Sequence, residues 1–438
     1  MSRAPRVALL HYTSPAVLGG VEQVMGVHAA ALRDAGVRVS IIAGRGRASP
    51  SGVQLVRIAE IDSKNARVLR DFASLARGKI GEDHGRLADD IYSQLRPHVA
   101  RTDRVVVHNA FTMHKNPALT AALERLAREH PGRFIAWTHD IAWADPQYAA
   151  QRHSGDPWDR LSRAVAGVRY VAVSDERRRQ LADALGVRRS AIAVVPNGID
   201  IAATLGLSPA GARLAARLGL FDASPLLLLP ARLTRRKRVE AAIAALPLVR
   251  KRWPRAALVV TGTPGAHNAT NERYASELRA LATEGVHLLH ALGIRATYRV
   301  VADLYALADA LVLPSASEGF GIPLLEAGLH RLPVVCSDIP ALRAIGGDDV
   351  TYVAPDADGA AIAAATLRRM DGDRAARLRM RARAHAWPRV LAELALPLIL
   401  ADPRSPARTP AGQRRATGRT RRADPPGHDE RLARWKAR

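Results

Sequence analysis

Two carboxylates, Glu318 and Glu326, bracket a Gly319-Phe320-Gly321 turn and Pro323. The apolar run Ala310-Leu-Val-Leu-Pro314 ahead of them has strand character, and Pro323 suits the first position of a helix. The stretch therefore predicts a strand, a glycine loop and a helix. Gly319 and Gly321 lack a Cβ, so backbone N–H groups can approach a ligand closely, and the helix N-terminus behind them carries partial positive charge suited to phosphate. Glu318 is expected in the loop and Glu326 in the first helical turn, one accepting hydroxyls of a sugar and the other those of a ribose. A capped turn carrying two solvated acids is the plain alternative.

Other residues could complete such a site. Arg232 and Lys237 follow the buried run Pro225-Leu-Leu-Leu-Leu-Pro230 and could place two cations against a diphosphate, the arginine through paired N–H groups and the lysine as a mobile charge. A solvated surface is the default reading for such a pair in a basic chain. Its position at a strand end of the same predicted sheet as the glutamates favours the site instead. Gly19-Gly20 after the first strand permits close ligand approach. It is no dinucleotide fingerprint, since no G-x-G-x-x-G follows a strand. His139 ends an apolar run beside Asp140 and could present its imidazole to a substrate hydroxyl. Asp371-Gly372-Asp373 has the look of a metal-holding acid pair, but between Arg-rich helical runs it reads better as a helix cap. His108 and His114 lack acidic or cysteine partners at metal spacing, so no metal is expected.

Positioning these groups requires a large α/β framework. Strand-like runs begin at Arg6, Val37, Arg104, Arg133, Arg169 and Ala191, and again at Pro225, Ala256, Val286, Ala310 and Pro333, with helical patterns between them. That is the pattern of two doubly wound, Rossmann-like halves whose loops converge beyond the carboxyl ends of the strands, facing each other across a cleft. The expected division is 1–205, 206–385, a C-terminal helix over 386–402 that returns to the first half, and a disordered basic tail over 403–438. Pro388 predicts a break in that last helix.

Composition narrows the class. The chain has 438 residues, 48% of them hydrophobic, enough for two cores, and its single cysteine excludes an internal disulfide. The apolar run before His11 is too short for a signal-peptide core, and no run is long enough to span a membrane, which predicts a cytoplasmic protein. The net charge of +24 suits anionic ligands, peripheral contact with an anionic inner-membrane surface, or nucleic acid. With 4% aromatic residues and no nucleic-acid module, the last is disfavoured.

Taken in order, Gly19-Gly20-Val-Glu22, Thr138-His139-Asp140, Val173-Ser174, Pro196-Asn-Gly-Ile-Asp200, Arg232 with Lys237, Ser317-Glu-Gly-Phe-Gly-Ile-Pro-Leu-Leu-Glu326, Leu332-Pro-Val-Val-Cys-Ser337 and Val353-Ala-Pro355 resemble a retaining glycosyltransferase of family 4 (group 1), built on the two-domain GT-B scaffold. The resemblance implies a metal-independent hexosyltransferase using a nucleotide-diphosphate sugar, GDP- or UDP-hexose, as co-substrate without a further cofactor. The acceptor would be a sugar, a lipid-linked molecule or another small molecule, held by the first domain at loops carrying Asn109, His114, Lys115, Trp137 and Trp143. Glu326 would bind the ribose and Glu318 the transferred sugar. Gly319 and the amides of Phe320 and Gly321 would hold the sugar-phosphate end, and Arg232 and Lys237 the leaving diphosphate. His139 would meet the sugar near the reacting carbon, while Gly19 and Gly20 close over the phosphates. Mannosyl or glucosyl transfer is the expected reaction; a nucleotide-sugar 2-epimerase on the same scaffold is the rival enzyme. The chain departs from the family pattern at Ala231, at Arg238 where glycine often follows the lysine, and at Gly328-Leu-His-Arg331.

Overall fold

The computed structural model describes residues 3–402 except 16, 18 and 265–268. The basic tail expected over 403–438 lies outside the described residues.

Two parallel sheets organise the chain. The first contains β1 (Arg6–Thr13), β2 (Arg38–Arg45), β3 (Gln54–Arg57), β4 (Arg104–His108), β5 (Phe134–Thr138), β6 (Arg169–Ala172) and β7 (Ile192–Val194), in the order β3-β2-β1-β4-β5-β6-β7. The second contains β8 (Leu226–Leu229), β9 (Ala257–Val260), β10 (Val286–Leu288), β11 (Ala310–Leu313), β12 (Val334–Ser337) and β13 (Thr351–Val353), in the order β10-β9-β8-β11-β12-β13. Each sheet reverses its winding beside its first strand, and helices cover both faces, giving the two doubly wound, Rossmann-like α/β halves expected from sequence. The central strands are buried along their length, as β4, β5, β8 and β11 show. The edge strands β3 and β13, which sequence did not mark, are short and largely half-exposed or exposed, so they lack the continuous apolar run that betrays a buried strand.

Helix boundaries follow local chemistry. The helix Gly20–Asp34 ends at a left-handed Gly36 (φ 80), whose N–H bonds Arg33 O, as a C-terminal glycine should. Asp373 caps the helix Arg374–Arg383 by accepting from Ala376 N, so the Asp371-Gly372-Asp373 run is a helix junction. Pro388 does not break the last helical run as expected. It sits in the first turn of Trp387–Val390, where its missing N–H costs nothing, and the irregular turn lies downstream at Leu391–Ala395.

Val390, Ala395, Leu398 and Ile399 from this run share a buried cluster with Val7, Leu9, Val106 and Ile135 of the first sheet. Ile199 bridges Ala386, with Ile199 N donating to His385 O (2.8 Å) and Trp387 N donating to Ile199 O (3.1 Å). At this crossing Gly198 has to be glycine, because a Cβ would lie 2.4 Å from the Trp387 ring.

Candidate active site

The candidate residues fall beyond the carboxyl ends of the two sheets, where ligands bind in open α/β folds. In the second sheet, β8 delivers the loop with Arg232 and a short helical turn, Arg235–Lys237, while β11 delivers Ser315 to Gly321. Lys237 Nζ donates to Glu318 Oε1, and Ser315 Oγ donates to the same oxygen at 2.7 Å. Arg236 Nη1 lies 3.7 Å from Glu318 Oε2 and donates to Ser317 O at 2.9 Å. The side chains of Lys237 and Glu318 are only 10% and 7% exposed. Burial makes each charge dependent on the other, so the loop from β8 and the loop from β11 are locked together by ion pairing. Arg232 stands apart: it is exposed, and its guanidinium makes no hydrogen bond or ion pair among the described residues.

Gly321 caps the helix Ile322–Leu329 at φ 111, a conformation that favours glycine. Gly319 has open space where a Cβ would stand, and Phe320 is exposed beside it. Glu326 lies past the first helical turn, contrary to expectation, because the helix starts at Ile322 just after the glycine. Tyr305, buried on the helix Tyr298–Leu307, donates to Glu326 Oε2 at 2.7 Å, and His330 stacks on the tyrosine ring with centroids 5.6 Å apart. Burial, then the adjacent Glu326 carboxylate, raises the Tyr305 phenol, so it stays a donor at neutral pH.

Arg238, the departure from glycine, keeps the backbone glycine would have had, left-handed at φ 49. Its guanidinium donates to the carbonyls of Pro355, Asp356 (3.1 Å) and Ala357 (2.9 Å). Those bonds offset the strain of a side chain in that region.

The first sheet presents a different chemistry. His108 ends β4, His139 directly follows β5, and His11 lies two residues inside the carboxyl end of β1; the three strands are neighbours in the sheet. His108 Nδ1 and His139 Nε2 are 3.1 Å apart, and His11 Nδ1 lies 3.1 Å from the His108 carbonyl oxygen. His28, from the helix Gly20–Asp34, packs edge-on against Trp137. Burial pushes His139 down to about 4, reinforced by His11 and opposed by Asp140, and His28 down to about 3. Both are therefore neutral at pH 7.

Gly20, at the start of its helix, has open space where a Cβ would stand, as Gly319 does. Gly19 is constrained: a Cβ would meet Glu22 Oε2 at 2.1 Å, because that carboxylate folds back to accept from Thr13 Oγ1 and lies 3.7 Å from His11 Nε2.

The residues expected on the acceptor side do not form one surface. Asn109, left-handed at φ 61, accepts at Oδ1 from His139 N (2.8 Å) and Asp140 N (3.0 Å) and donates to Asp140 Oδ2 (3.1 Å). It shapes the His139 loop instead of offering itself to a ligand. His114 is buried among Phe72, Trp143 and Tyr148, and Trp143 Nε1 donates to Trp158 O (3.2 Å), so these rings close a small core. Trp137 is buried under the histidines, and Lys115 alone of the group is exposed. A wide depression of about 980 Å³ opens near Arg3, Arg104 and Arg133, but at the amino ends of the strands, the wrong end for ligand binding in this fold.

Sequence reading assigned no role to His11, Glu22, His28 or Tyr305 and considered His108 only as a metal ligand. A signal existed: three apolar strands each run into a histidine.

Residues 18–203 match the family model "Glycosyltransferase Family 4" and residues 224–371 match "Glycosyl transferases group 1". The chain belongs to this glycosyltransferase family. It is 34% identical to a D-inositol 3-phosphate glycosyltransferase of Kineococcus radiotolerans over 57% of this chain and 52% of that one. To a glycogen synthase of Mycobacterium tuberculosis it is 32% identical, over 58% of this chain and 60% of the relative. The chain thus spans about half to three fifths of these relatives' lengths. A solved glycosyltransferase from Rickettsia africae aligns over 92% of this chain and 100% of its own at 15% identity, with a TM-score of 0.36. Among the described residues no helix is long and apolar enough to cross a membrane.

Proposed function

We propose that this family member is a glycosyltransferase, specifically a retaining, metal-independent hexosyltransferase that moves mannose or glucose from a GDP- or UDP-sugar to a sugar, lipid-linked or small-molecule acceptor on the first domain. The observation that carries this reading is the buried Lys237–Glu318 pair, which ties together the two loops that also carry the exposed Arg232 and the open Gly319. It supplies cations for a diphosphate and a carboxylate for sugar hydroxyls within one loop cluster. Glu326, with Oε2 held by Tyr305, offers its other oxygen to the ribose hydroxyls. His139 and the open Gly20 close on the sugar and phosphates from the first domain. The +24 charge suits an anionic donor and a cytoplasmic protein able to rest on an anionic inner-membrane surface.

In the reaction the bond from the sugar's anomeric carbon to the diphosphate oxygen breaks and a bond to the acceptor oxygen forms on the same face. The acceptor proton passes to the departing phosphate oxygen. Arg232 and Lys237 act where negative charge grows most, on the leaving diphosphate. Neutral His139 donates or accepts a hydrogen bond without adding charge beside the developing positive character of the sugar.

Thermal-shift screening against UDP-, GDP- and ADP-sugars, followed by donor hydrolysis on the best binder, tests the reading. Stabilisation by a hexose nucleotide and release of the retained anomer is the expected result. No stabilisation by any nucleotide sugar overturns it. Epimerisation of UDP-N-acetylglucosamine without an acceptor would transfer the assignment to the 2-epimerase. Flotation of the full chain on anionic against neutral vesicles tests the membrane contact.

A further inference from the structure

One edge of the His139 ring is spent on a neighbouring imidazole, which leaves its Nδ1 edge for a ligand. Its Nε2 lies 3.1 Å from His108 Nδ1, and the two rings are nearly coplanar, 25° apart with centroids separated by 5.4 Å. That geometry is an edge-to-edge N–H···N hydrogen bond, in which one nitrogen donates and the other accepts. Which one donates decides what His139 shows to a ligand.

The surroundings of His108 choose between the two. The residue is fully buried, and its rings for company are His28, Trp137 and His139. No carboxylate bonds it, and two touching imidazoles disfavour charge on either, so it is neutral and carries a single N–H. Its Nε2 is buried with no hydrogen-bond partner among the described residues. Were the proton on that Nε2, a buried donor would stand unsatisfied, at a cost of about 1–3 kcal/mol. With the proton on Nδ1, the orphan is a lone pair, which buried structure tolerates better. His108 Nδ1–H therefore donates, and His139 Nε2 accepts. His139, also neutral, then carries its proton on Nδ1. The backbone cooperates: Asn109 Oδ1 accepts from the amides of His139 and Asp140 and fixes the loop that carries the ring.

We propose that His108 is a positioning residue that holds His139 in the Nδ1–H tautomer, so that His139 meets its ligand as a hydrogen-bond donor through Nδ1. A donor suits an electronegative oxygen of the bound substrate, either a sugar hydroxyl or the phosphate oxygen at the reacting carbon. The functional half of this inference rests on the reading of His139 as a donor-sugar contact; the tautomer half does not.

The experiment separates the two. Long-range proton–nitrogen correlation spectra of the histidine-labelled full chain, without ligand at pH 7, report the tautomer of each ring. His139 is expected in the Nδ1–H form, assigned by loss of its signals in His139→Gln. His108→Phe keeps a ring but removes the donor and should shift His139 towards the Nε2–H form. His108→Gln, which restores an N–H, should return most of it, and near-UV circular dichroism confirms that both variants stay folded. Turnover of UDP-glucose or GDP-mannose, whichever is hydrolysed, should fall at least about tenfold in kcat in His108→Phe with KM little changed, and recover in His108→Gln. An Nε2–H signature for His139 in the parent protein, or one unmoved by His108→Phe, overturns the proposal. If the tautomer shifts as stated while turnover does not change, His108 still positions the ring, and it is the assignment of His139 to the donor site that fails.

Discussion

The two sheets supply opposite kinds of wall. At the end of the first, the candidate groups are imidazoles stripped of water and held neutral; at the end of the second they are charges, Lys237 and Glu318 matched against each other and Arg232 left exposed. The neutral wall gains geometry from hydrogen bonds that cost no charge burial: Asn109 on the loop, His108 on His139, His11 on the His108 carbonyl. The charged wall gains it from the Lys237–Glu318 pair and from Tyr305 on Glu326. A buried pair holds position well but resists a ligand that needs one partner, whereas neutral imidazoles yield a hydrogen bond readily. On the proposed reading, an incoming diphosphate would compete with Glu318 for Lys237, whereas His139 is held by a hydrogen bond to His108 and by no ion pair among the described residues.

The difference can be broken most severely at the buried pair. Lys237→Met should lower kcat by about 100- to 1,000-fold by removing a charge at the leaving group. It should also destabilise the chain by about 3–5 kcal/mol, because Glu318 is left buried without its partner. Adding Glu318→Gln should recover much of the stability and none of the activity, which urea unfolding and donor hydrolysis read separately.

Acid should separate the walls next. His139, at about 4, and His28, at about 3, are both depressed in the folded protein relative to an unfolded histidine near 6.5. Between those values the unfolded chain binds more protons than the native one, so stability is complete above pH 6.5 and falls as pH drops towards 4. The slope is about 1.4 kcal/mol per pH unit for each such histidine. His28→Phe should flatten the profile by about one histidine's share, measured by tryptophan fluorescence against urea at several pH values.

Smaller changes sharpen the assignment. Tyr305→Phe should raise KM for the donor roughly tenfold, by freeing Glu326 from its one observed orienting bond, with kcat nearly constant. Gly20→Ala and Gly319→Ala meet no neighbour, so stability should stay within about 0.5 kcal/mol while donor affinity falls, as calorimetry would show. If affinity were unchanged too, these glycines would not be where a ligand approaches. Last, Arg238→Gly should be more stable than Arg238→Ala by about 1 kcal/mol, since both lose the bonds to the 355–357 carbonyls and only glycine suits a φ of 49.

Much of this was determined by the sequence alone. Alternating apolar runs and helical patterns require two doubly wound sheets, because each apolar strand must be covered on both faces. A strand running into Gly319-Phe320-Gly321 requires an open loop before a helix, and Arg232 and Lys237 after the Leu-rich strand put cations at the end of the same sheet. Such facts are local: they depend on residues near in sequence and on the intrinsic limits of glycine, proline and apolar side chains. Tertiary structure alone decided the pairings. That Lys237 would spend its charge on Glu318, that Tyr305 would hold Glu326, and that His114 and Trp143 would close a core are contacts between loops distant in the chain. The row of histidines belongs to the same class. His11, His108 and His139 become neighbours only because β4 inserts between β1 and β5, and a strand order set by crossovers is written in no single stretch of sequence.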